Sequence, residues 1–306
     1  MDKILIIDED YSIIFSKGLI ANSLLKTGIS FLEARDIAEE IQSDLLKMNI
    51  QEISKEEMDK KISKILADKK GAQYAENFLV FKKITKLEQP IIILISGTTG
   101  IGKSTVALSL AHRLDFRSMI GTDSIREIMR KVLSNDLIPE LHQSSYEAGK
   151  FSKHYRSSRF NSTILGYSEQ VKIVIVGVEA LIKRALYEGT NMIIEGVHLS
   201  PEFLSYDILK HPNIVFVMLN LSNEKQHKNR FSLRAYHVSM RSPINKYYEN
   251  FEQIRIIQEY LKEQAKIVGV PIIENINRDD TVKKLTEIVT KRIKKIVEAK
   301  NMNINH

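Results

Sequence analysis

Apolar and polar positions follow two different patterns along the 306-residue chain. From Pro90 onward, short unbroken aliphatic runs alternate with longer stretches of helical spacing. That alternation predicts a parallel sheet with helices on both faces. Ile91–Ile95 is the strongest run, with no polar position to turn toward water, and predicts a strand buried on both sides that ends at Ser96. Arg117–Gly121, Asn191–Glu195, Ile214–Leu221 and Val270–Ile273 predict four more strands. Val106, Leu108, Leu110, Ala111 and Leu114 share a helix face after the first of them. Further helices are predicted over Ser124–Ser134, Tyr247–Val268 and Thr281–Lys300. Glu169–Tyr187 is ambiguous. Val171–Val178 alone fits a strand, but Ala180, Leu181, Ala185 and Leu186 continue at helical spacing and favour one long helix.

Before Pro90 the pattern differs. Lys3–Ile7 and Tyr11–Phe15 flank Asp8-Glu9-Asp10 and predict a hairpin. Leu19, Ile20, Leu24 and Leu25 give one helix face. Ser30-x-x-Glu33 and Ser54-x-x-Glu57 are capping-box signatures, each with an apolar stripe behind it: Ala34, Ile37, Ala38, Ile41 and Leu45, then Met58, Ile62, Ile65 and Leu66. Gly71 allows a last helix to start, with Tyr74, Phe78 and Phe81 on its inner side. Charged Lys82–Gln89 reads as a linker. Two domains are expected, 1–88 and 89–306.

The loop after the first strand of the second domain carries the chemistry. Gly97-Thr98-Thr99-Gly100-Ile101-Gly102-Lys103-Ser104 fits G-x-x-x-x-G-K-[ST] between a strand and a helix. Backbone N–H groups wrap a polyphosphate there, and a Cβ at the glycines would hold the backbone away. The helix N-terminus adds donors and partial positive charge. Lys103 has the reach for the β- and γ-phosphates, and Ser104 and Thr105 open the helix, with the Ser104 hydroxyl suited to Mg²⁺. ATP and Mg²⁺ are the expected cofactors. The plain alternative is a glycine-rich turn before an ordinary helix.

In an open parallel sheet, ligands sit beyond the C-terminal strand ends. After the second strand, Asp123 is placed to accept or orient an acceptor's hydroxyl proton, and Arg126 to hold an anionic group; equally, Asp123 or Ser124 is a good helix cap, and Ser124-x-x-Glu127 is itself a capping box. After the third, Glu195 stands where P-loop proteins put an acid that assists the metal, and His198 either touches substrate or caps a turn. After the fourth, Lys225, Lys228, Arg230, Arg234 and Arg241 lie within 222–243, a basic lid or a solvated basic helix. After the fifth, the loop ending at Asn277 is placed beside the nucleotide base.

Composition narrows the class. The chain has no cysteine, which excludes disulfides, zinc–thiolate sites and iron–sulfur clusters. A net charge of +7 invites a nucleic-acid reading, but the cations are spread through helices and a phosphate-handling site needs them too, so no nucleic-acid partner is expected. No apolar run has the ~18 residues of a membrane span, and the first residues carry acids where a signal peptide carries bases. A cytoplasmic protein without membrane contact is expected, and a homo-oligomer is compatible with the sequence.

Several blocks in order, ISGTTGIGKST, IGTDSIREIMRKVL, LHQSSYEAGK, VGVEALIKRALYEG and IIEGVHLSPEFL, span Ile95–Leu204, and RFSLRA follows around Arg230 and Arg234. Together they resemble the archaeal 2-phosphoglycerate kinases, a P-loop kinase family. The resemblance implies transfer of the ATP γ-phosphate to the 3-hydroxyl of 2-phosphoglycerate, giving 2,3-diphosphoglycerate, the precursor of its cyclic form. It implies substrate contacts from Arg126, Arg130 and Tyr146, which join Asp123, Glu195 and His198 of the strand ends as candidate substrate residues, with Lys103 of the loop and Arg230 and Arg234 of the basic segment as candidate catalytic residues. The first ninety residues resemble the ATP-cone domain of that family, although Asp8-Glu9-Asp10 stand where the cone carries a basic pair and a glycine. A small acceptor other than 2-phosphoglycerate, and a non-catalytic ATP-binding regulator, are the competing readings.

Overall fold

The computed structural model describes residues 4–8, 11–84, 89–151, 161–237 and 244–304. The chain divides into two compact units, Met1–Glu88 with Leu285–His306, and Gln89–Lys284.

In the first unit, β1 (Leu5–Ile7) pairs antiparallel with β2 (Ser12–Ile14), which is the predicted hairpin. Its other edge pairs in parallel with β3 (Glu52–Ser54). Apolar spacing did not predict β3, because it is three residues long and buries only Ile53. Four helices follow the order expected: α1 (Lys17–Leu25), α2 (Phe31–Lys47), α3 (Lys55–Lys70) and α4 (Ala72–Ile84). Both capping boxes form. Ser30 Oγ accepts from the Glu33 N–H at 3.3 Å while the Glu33 carboxylate accepts from the Ser30 N–H at 2.8 Å. Ser54 and Glu57 repeat the exchange. Each cap is worth about 1 kcal/mol, so these two serines fix where α2 and α3 begin. The stripes behind them, Ile37, Ile41, Leu45, Met58, Ile62 and Leu66, close over Phe78 in a single core. Leu19 departs from expectation and faces outward, while Ile20 and Leu24 are buried.

The second unit is a three-layer α/β fold. Its parallel sheet has the order β5-β6-β4-β7-β8. β4 (Ile92–Ser96) is central and buried along its whole length, as five aliphatic-rich positions demand. β6 (Met192–Gly196) and β5 (Ser118–Gly121) lie on one side, β7 (Ile214–Asn220) and β8 (Ile272–Glu274) on the other. The register sets Ser96 beside Gly196 and Gly121 beside Glu195. The C-terminal ends of β4, β5 and β6 are therefore level, and the segments leaving them share one edge.

The helices of this unit are α5 (Lys103–Leu114), α6 (Thr122–Val132), α7 (Ser162–Glu188), α8 (Tyr206–Lys210), α9 (Glu224–His237), α10 (Ile244–Glu249), α11 (Phe251–Val268) and the first turns of α12 (Arg278–Ile304). Glu169–Tyr187 does lie in one helix, α7, which buries Tyr167, Val171, Val174, Val178 and Ile182 at helical spacing. The single helix expected over Tyr247–Val268 is two. Asn250 leaves the helical region (φ −108°, ψ 22°), and its amide donates to the Lys246 carbonyl at 2.8 Å, closing α10. Leu108, expected on the inner face of α5, is half exposed. Residues from Leu285 onward, placed by the sequence with the second domain, belong to the first compact unit. Among the described residues, no helix is long and apolar enough to cross a membrane.

Candidate active site

The loop between β4 and α5 takes its shape from its glycines. Gly97 has φ +143°, and a Cβ there would sit 2.4 Å from Ile101 Cδ1 and 2.7 Å from the Leu219 carbonyl. Gly100 has φ +86°, and a Cβ would meet the Phe231 ring at 2.2 Å. Neither position accepts a side chain. The Ile101 side chain is fully buried and anchors the loop. Lys103 extends back along the loop and donates to the Thr98 carbonyl at 2.8 Å. Thr98 turns away from the cavity, is buried, and donates through Oγ1 to the Ile254 carbonyl at 3.1 Å.

A cavity of about 470 Å³ opens over this loop. Thr99, Gly100, Gly102, Lys103, Ser104 and Thr105 form one wall. Gly121, Thr122, Asp123, Glu195, Gly196 and Val197 form another, and Arg230, Asn275 and Arg278 complete it. Residues from the ends of β4, β5, β6 and β8 thus meet in one space.

Two residues singled out for a metal are in contact. The Ser104 hydroxyl donates to Glu195 Oε1 at 2.7 Å. A hydroxyl and a carboxylate converging beside a phosphate loop are hard oxygen donors suited to Mg²⁺, which keeps few protein ligands and takes the rest from phosphate and water. Ser104 and Glu195 fit that role and would hold Mg²⁺, which would supply positive charge against the phosphates.

Asp123 is exposed to the cavity in the first turn of α6. It is not the helix cap. α6 starts at Thr122 with Gly121 as N-cap, so Ser124 lies inside the first turn and its capping box with Glu127 does not form. Glu127 pairs instead with Arg126 and Arg130. The cavity walls around it raise the Asp123 pKa, but nearby His198, Arg126 and Lys103 outweigh that and leave the carboxyl below its ordinary value. A carboxylate held this low is a weak base, suited to orienting an acceptor hydroxyl.

Four residues assigned to the substrate side do not line the cavity. Arg126 is spent on backbone, donating through Nη1 to the Gln143 carbonyl at 2.8 Å and the Leu141 carbonyl at 3.4 Å, and through Nε to Asp123 at 3.4 Å. Arg130 pairs with Glu127 at 2.7 Å one turn along α6. Tyr146 is buried, its ring 6.1 Å from that of Tyr247. His198 has no exposed surface and bonds to Thr122 and Gln170.

At the β8 end, Asn277 is a helix cap whose side chain accepts from the N–H groups of Asp279 and Asp280. The cavity residue is Asn275, two positions earlier. Its Nδ2 donates to the Ile101 carbonyl at 2.7 Å, and its Oδ1 accepts from Thr281 at 2.9 Å. Arg278 is a further cavity residue that apolar periodicity and motif spacing do not reveal.

On α9, the Arg230 guanidinium donates to the Ile101 carbonyl at 2.6 Å and to the Ile276 carbonyl at 3.1 Å. Burial lowers its pKa, which stays that of a permanent cation. His227 Nε2–H donates to the Thr99 carbonyl at 2.8 Å, and burial pushes its pKa down to about 4. Phe231 is 1% exposed, stacked at 4.8 Å on Tyr247. The Lys228 ammonium lies over the Phe251 ring, away from the cavity. The side chain of Arg234, and Arg241, lie outside the described residues. Of the five cations expected around the site, Arg230 alone lines it among the described residues.

A phosphate-loop sequence at the end of the central strand of a five-stranded parallel sheet, opening on one cavity with the ends of β5, β6 and β8, is the arrangement of a P-loop kinase. No protein-family model matches the chain. It is 40% identical over 301 residues to the 2-phosphoglycerate kinase of Methanococcus maripaludis, covering 97% of this chain and 96% of that one. The same enzyme of Methanocaldococcus jannaschii is 40% identical over 98% and 95%, and that of Pyrococcus horikoshii 34% identical over 96% and 95%. The chain belongs to the 2-phosphoglycerate kinase family. Among solved structures, shikimate kinase from Bacteroides thetaiotaomicron aligns at 19% identity over 65% of this chain and 98% of that one, with a TM-score of 0.38, too weak a likeness to carry a conclusion.

Proposed function

We propose that the chain transfers the γ-phosphate of ATP to the 3-hydroxyl of 2-phosphoglycerate, giving ADP and 2,3-diphosphoglycerate, the precursor of the cyclic form. The observation that carries the reading is identity near 40% along almost the whole length of enzymes of that name. The site supports it. Lys103 and the loop amides neutralise charge on the transferring group, Ser104 and Glu195 hold Mg²⁺, and Asp123 aims the acceptor hydroxyl. Because the transferring group carries most of the charge in the transition state, a strong base is not required, which suits a carboxylate with a lowered pKa.

Arg230 belongs to a lid on this reading. α9 touches the phosphate loop through His227, Arg230 and Phe231, so closure of the lid and ordering of the loop are one event. Protection of the 222–243 segment from protease with ATP and acceptor both bound tests it; equal cleavage with and without ligands refutes it. In the first unit, Lys55 of α3 already pairs with Asp8, and Asp8-Glu9-Asp10 put acids where a triphosphate needs bases and a glycine. ATP binding is therefore assigned to the second unit.

The substrate assignment is tested by ADP release against a panel of phosphorylated three-carbon acids. Release that depends on 2-phosphoglycerate supports it. Faster turnover of another acceptor, or release indifferent to any of them, overturns it.

A further inference from the structure

His198 is buried with no exposed surface, next to the cavity but not in it. Its two ring nitrogens are both engaged, Nδ1 with Thr122 Oγ1 at 2.8 Å and Nε2 with Gln170 Oε1 at 2.9 Å. The direction of each bond follows from Gln170, which is also fully buried. The other end of its amide faces two backbone carbonyls, Glu140 at 2.6 Å and Gln143 at 3.0 Å. An amide oxygen there would face two oxygens, so that end is the NH₂. The end toward His198 is then an acceptor, and His198 Nε2 must carry the proton. Nδ1 is left as an acceptor, so the Thr122 hydroxyl must donate to it.

The bonds continue into a closed ring. The Gln143 carbonyl also accepts from Arg126 Nη1 at 2.8 Å, and Arg126 Nε reaches Asp123 at 3.4 Å. Asp123 is the chain neighbour of Thr122. The ring therefore starts and ends on adjacent residues of the first turn of α6, passing through the segment after β6 and through α7. Gly196 packs so tightly on this turn that a Cβ would lie 1.8 Å from Thr122 Oγ1. Burial also depresses the His198 pKa to about 4, which keeps the ring neutral and its protons in this order near neutral pH.

We propose that His198 is a positioning residue for phosphoryl transfer: as the neutral Nε2–H tautomer it accepts a hydrogen bond from the Thr122 hydroxyl at Nδ1 and so fixes the Asp123 carboxylate toward the acceptor. The role in transfer rests on the kinase reading above; the tautomer does not. Protonation of Nδ1 would turn the Thr122 hydroxyl around and break the order of the ring. His198 does not touch substrate, so its loss acts on alignment, for which a misplacement near an ångström costs up to about 10²-fold in rate.

The test has two arms on the full chain. In long-range ¹H–¹⁵N spectra of histidine-labelled protein, the His198 ring is assigned by its absence in His198→Gln and its displacement in Thr122→Ser. It should show a protonated Nε2 and a bare Nδ1 from about pH 5.5 to 8. A protonated Nδ1 anywhere in that range overturns the inference, whether or not any variant folds well. In the kinetic arm, His198→Leu should lower kcat about 10-fold or more with KM for ATP nearly unchanged, and His198→Gln, which keeps an acceptor and a donor, should recover most of the loss. Equal losses in Leu and Gln variants of equal thermal stability overturn it. Absence of any turnover of 2-phosphoglycerate by the unaltered chain would sink the substrate assignment and leave the spectroscopic arm standing.

Discussion

Gly100→Ala tests whether the phosphate loop and α9 form one mechanical unit. Gly100 has φ +86°, and its new Cβ would lie 2.2 Å from Phe231 Cε1 and 2.6 Å from Cζ. Carbon atoms in contact sit about 3.5 Å apart or more, so loop or ring must retreat by more than ~1 Å. The ring has nowhere to go: it lies parallel to Tyr247 at 4.8 Å, stacks on His227 at 5.2 Å and meets Phe251 edge-on at 6.4 Å. Overpacking of this kind costs about 1–3 kcal/mol, and a Cβ at left-handed φ about 1–2 kcal/mol more. If some 2 kcal/mol of that falls on the bound loop, kcat/KM for ATP drops roughly 30-fold. Gly189→Ala is the internal control. Gly189 has φ +71° but nothing within 4 Å of a Cβ, so it carries the backbone strain without the collision. Steady-state kinetics and thermal denaturation of both variants, with Gly100→Ala/Phe231→Leu as rescue, decide the matter. Gly100→Ala should lose activity, Gly189→Ala should lose about 1 kcal/mol of stability with ordinary kinetics, and the double variant should regain part of the loss. Unaltered ATP kinetics in Gly100→Ala, or a double variant no better than the single, would refute the coupling.

Lys103→Ala should fold normally and lose at least ~10²-fold in kcat, since charge developing on the transferring group loses its nearest cation. Calorimetry on the unaltered chain should show one micromolar ATP site, and a second would restore nucleotide binding to the first unit. Asp123→Asn should lower kcat far more than it raises KM for ATP; a lowered melting temperature with unchanged kcat would return Asp123 to a structural role. Glu33 accepts from Lys70 and from the Ser30 N–H and hydroxyl, which hold its carboxyl down at about 2 against an ordinary 4.5. A depressed folded value stabilises above pH 4.5 and loses its effect as pH falls toward 2. With the side chain 40% exposed, the contribution is about 1 kcal/mol or less. The stability gap between Glu33→Gln and the unaltered chain should therefore narrow steadily as pH is lowered from 4.5, and a constant gap would contradict the linkage.

Local signals were legible and long-range ones were not. The phosphate loop and the two capping boxes each declare themselves within eight residues, because their bonds close within that span. The long α7 was legible because its buried positions keep one period over many turns. Asn275 was not separable from Asn277, since which of them faces the cavity depends on the register of β8 against β7, where the Asn275 N–H donates to the Asn220 carbonyl. His198 and Arg126 looked like ligands because histidine and arginine at strand ends so often are. Their partners, Gln170 and the carbonyls of Leu141 and Gln143, come from segments whose approach no local pattern announces. The break at Asn250 was hidden because apolar spacing continues through it.

The proposed activity is phosphorylation of the 3-hydroxyl of 2-phosphoglycerate. ³¹P spectra of the chain mixed with ATP, Mg²⁺ and 2-phosphoglycerate test it most directly. One ADP should form per product molecule, and the product should show two phosphomonoester resonances, the new one coupled to a methylene. A spectrum in which ADP and inorganic phosphate appear while 2-phosphoglycerate remains unchanged would contradict it.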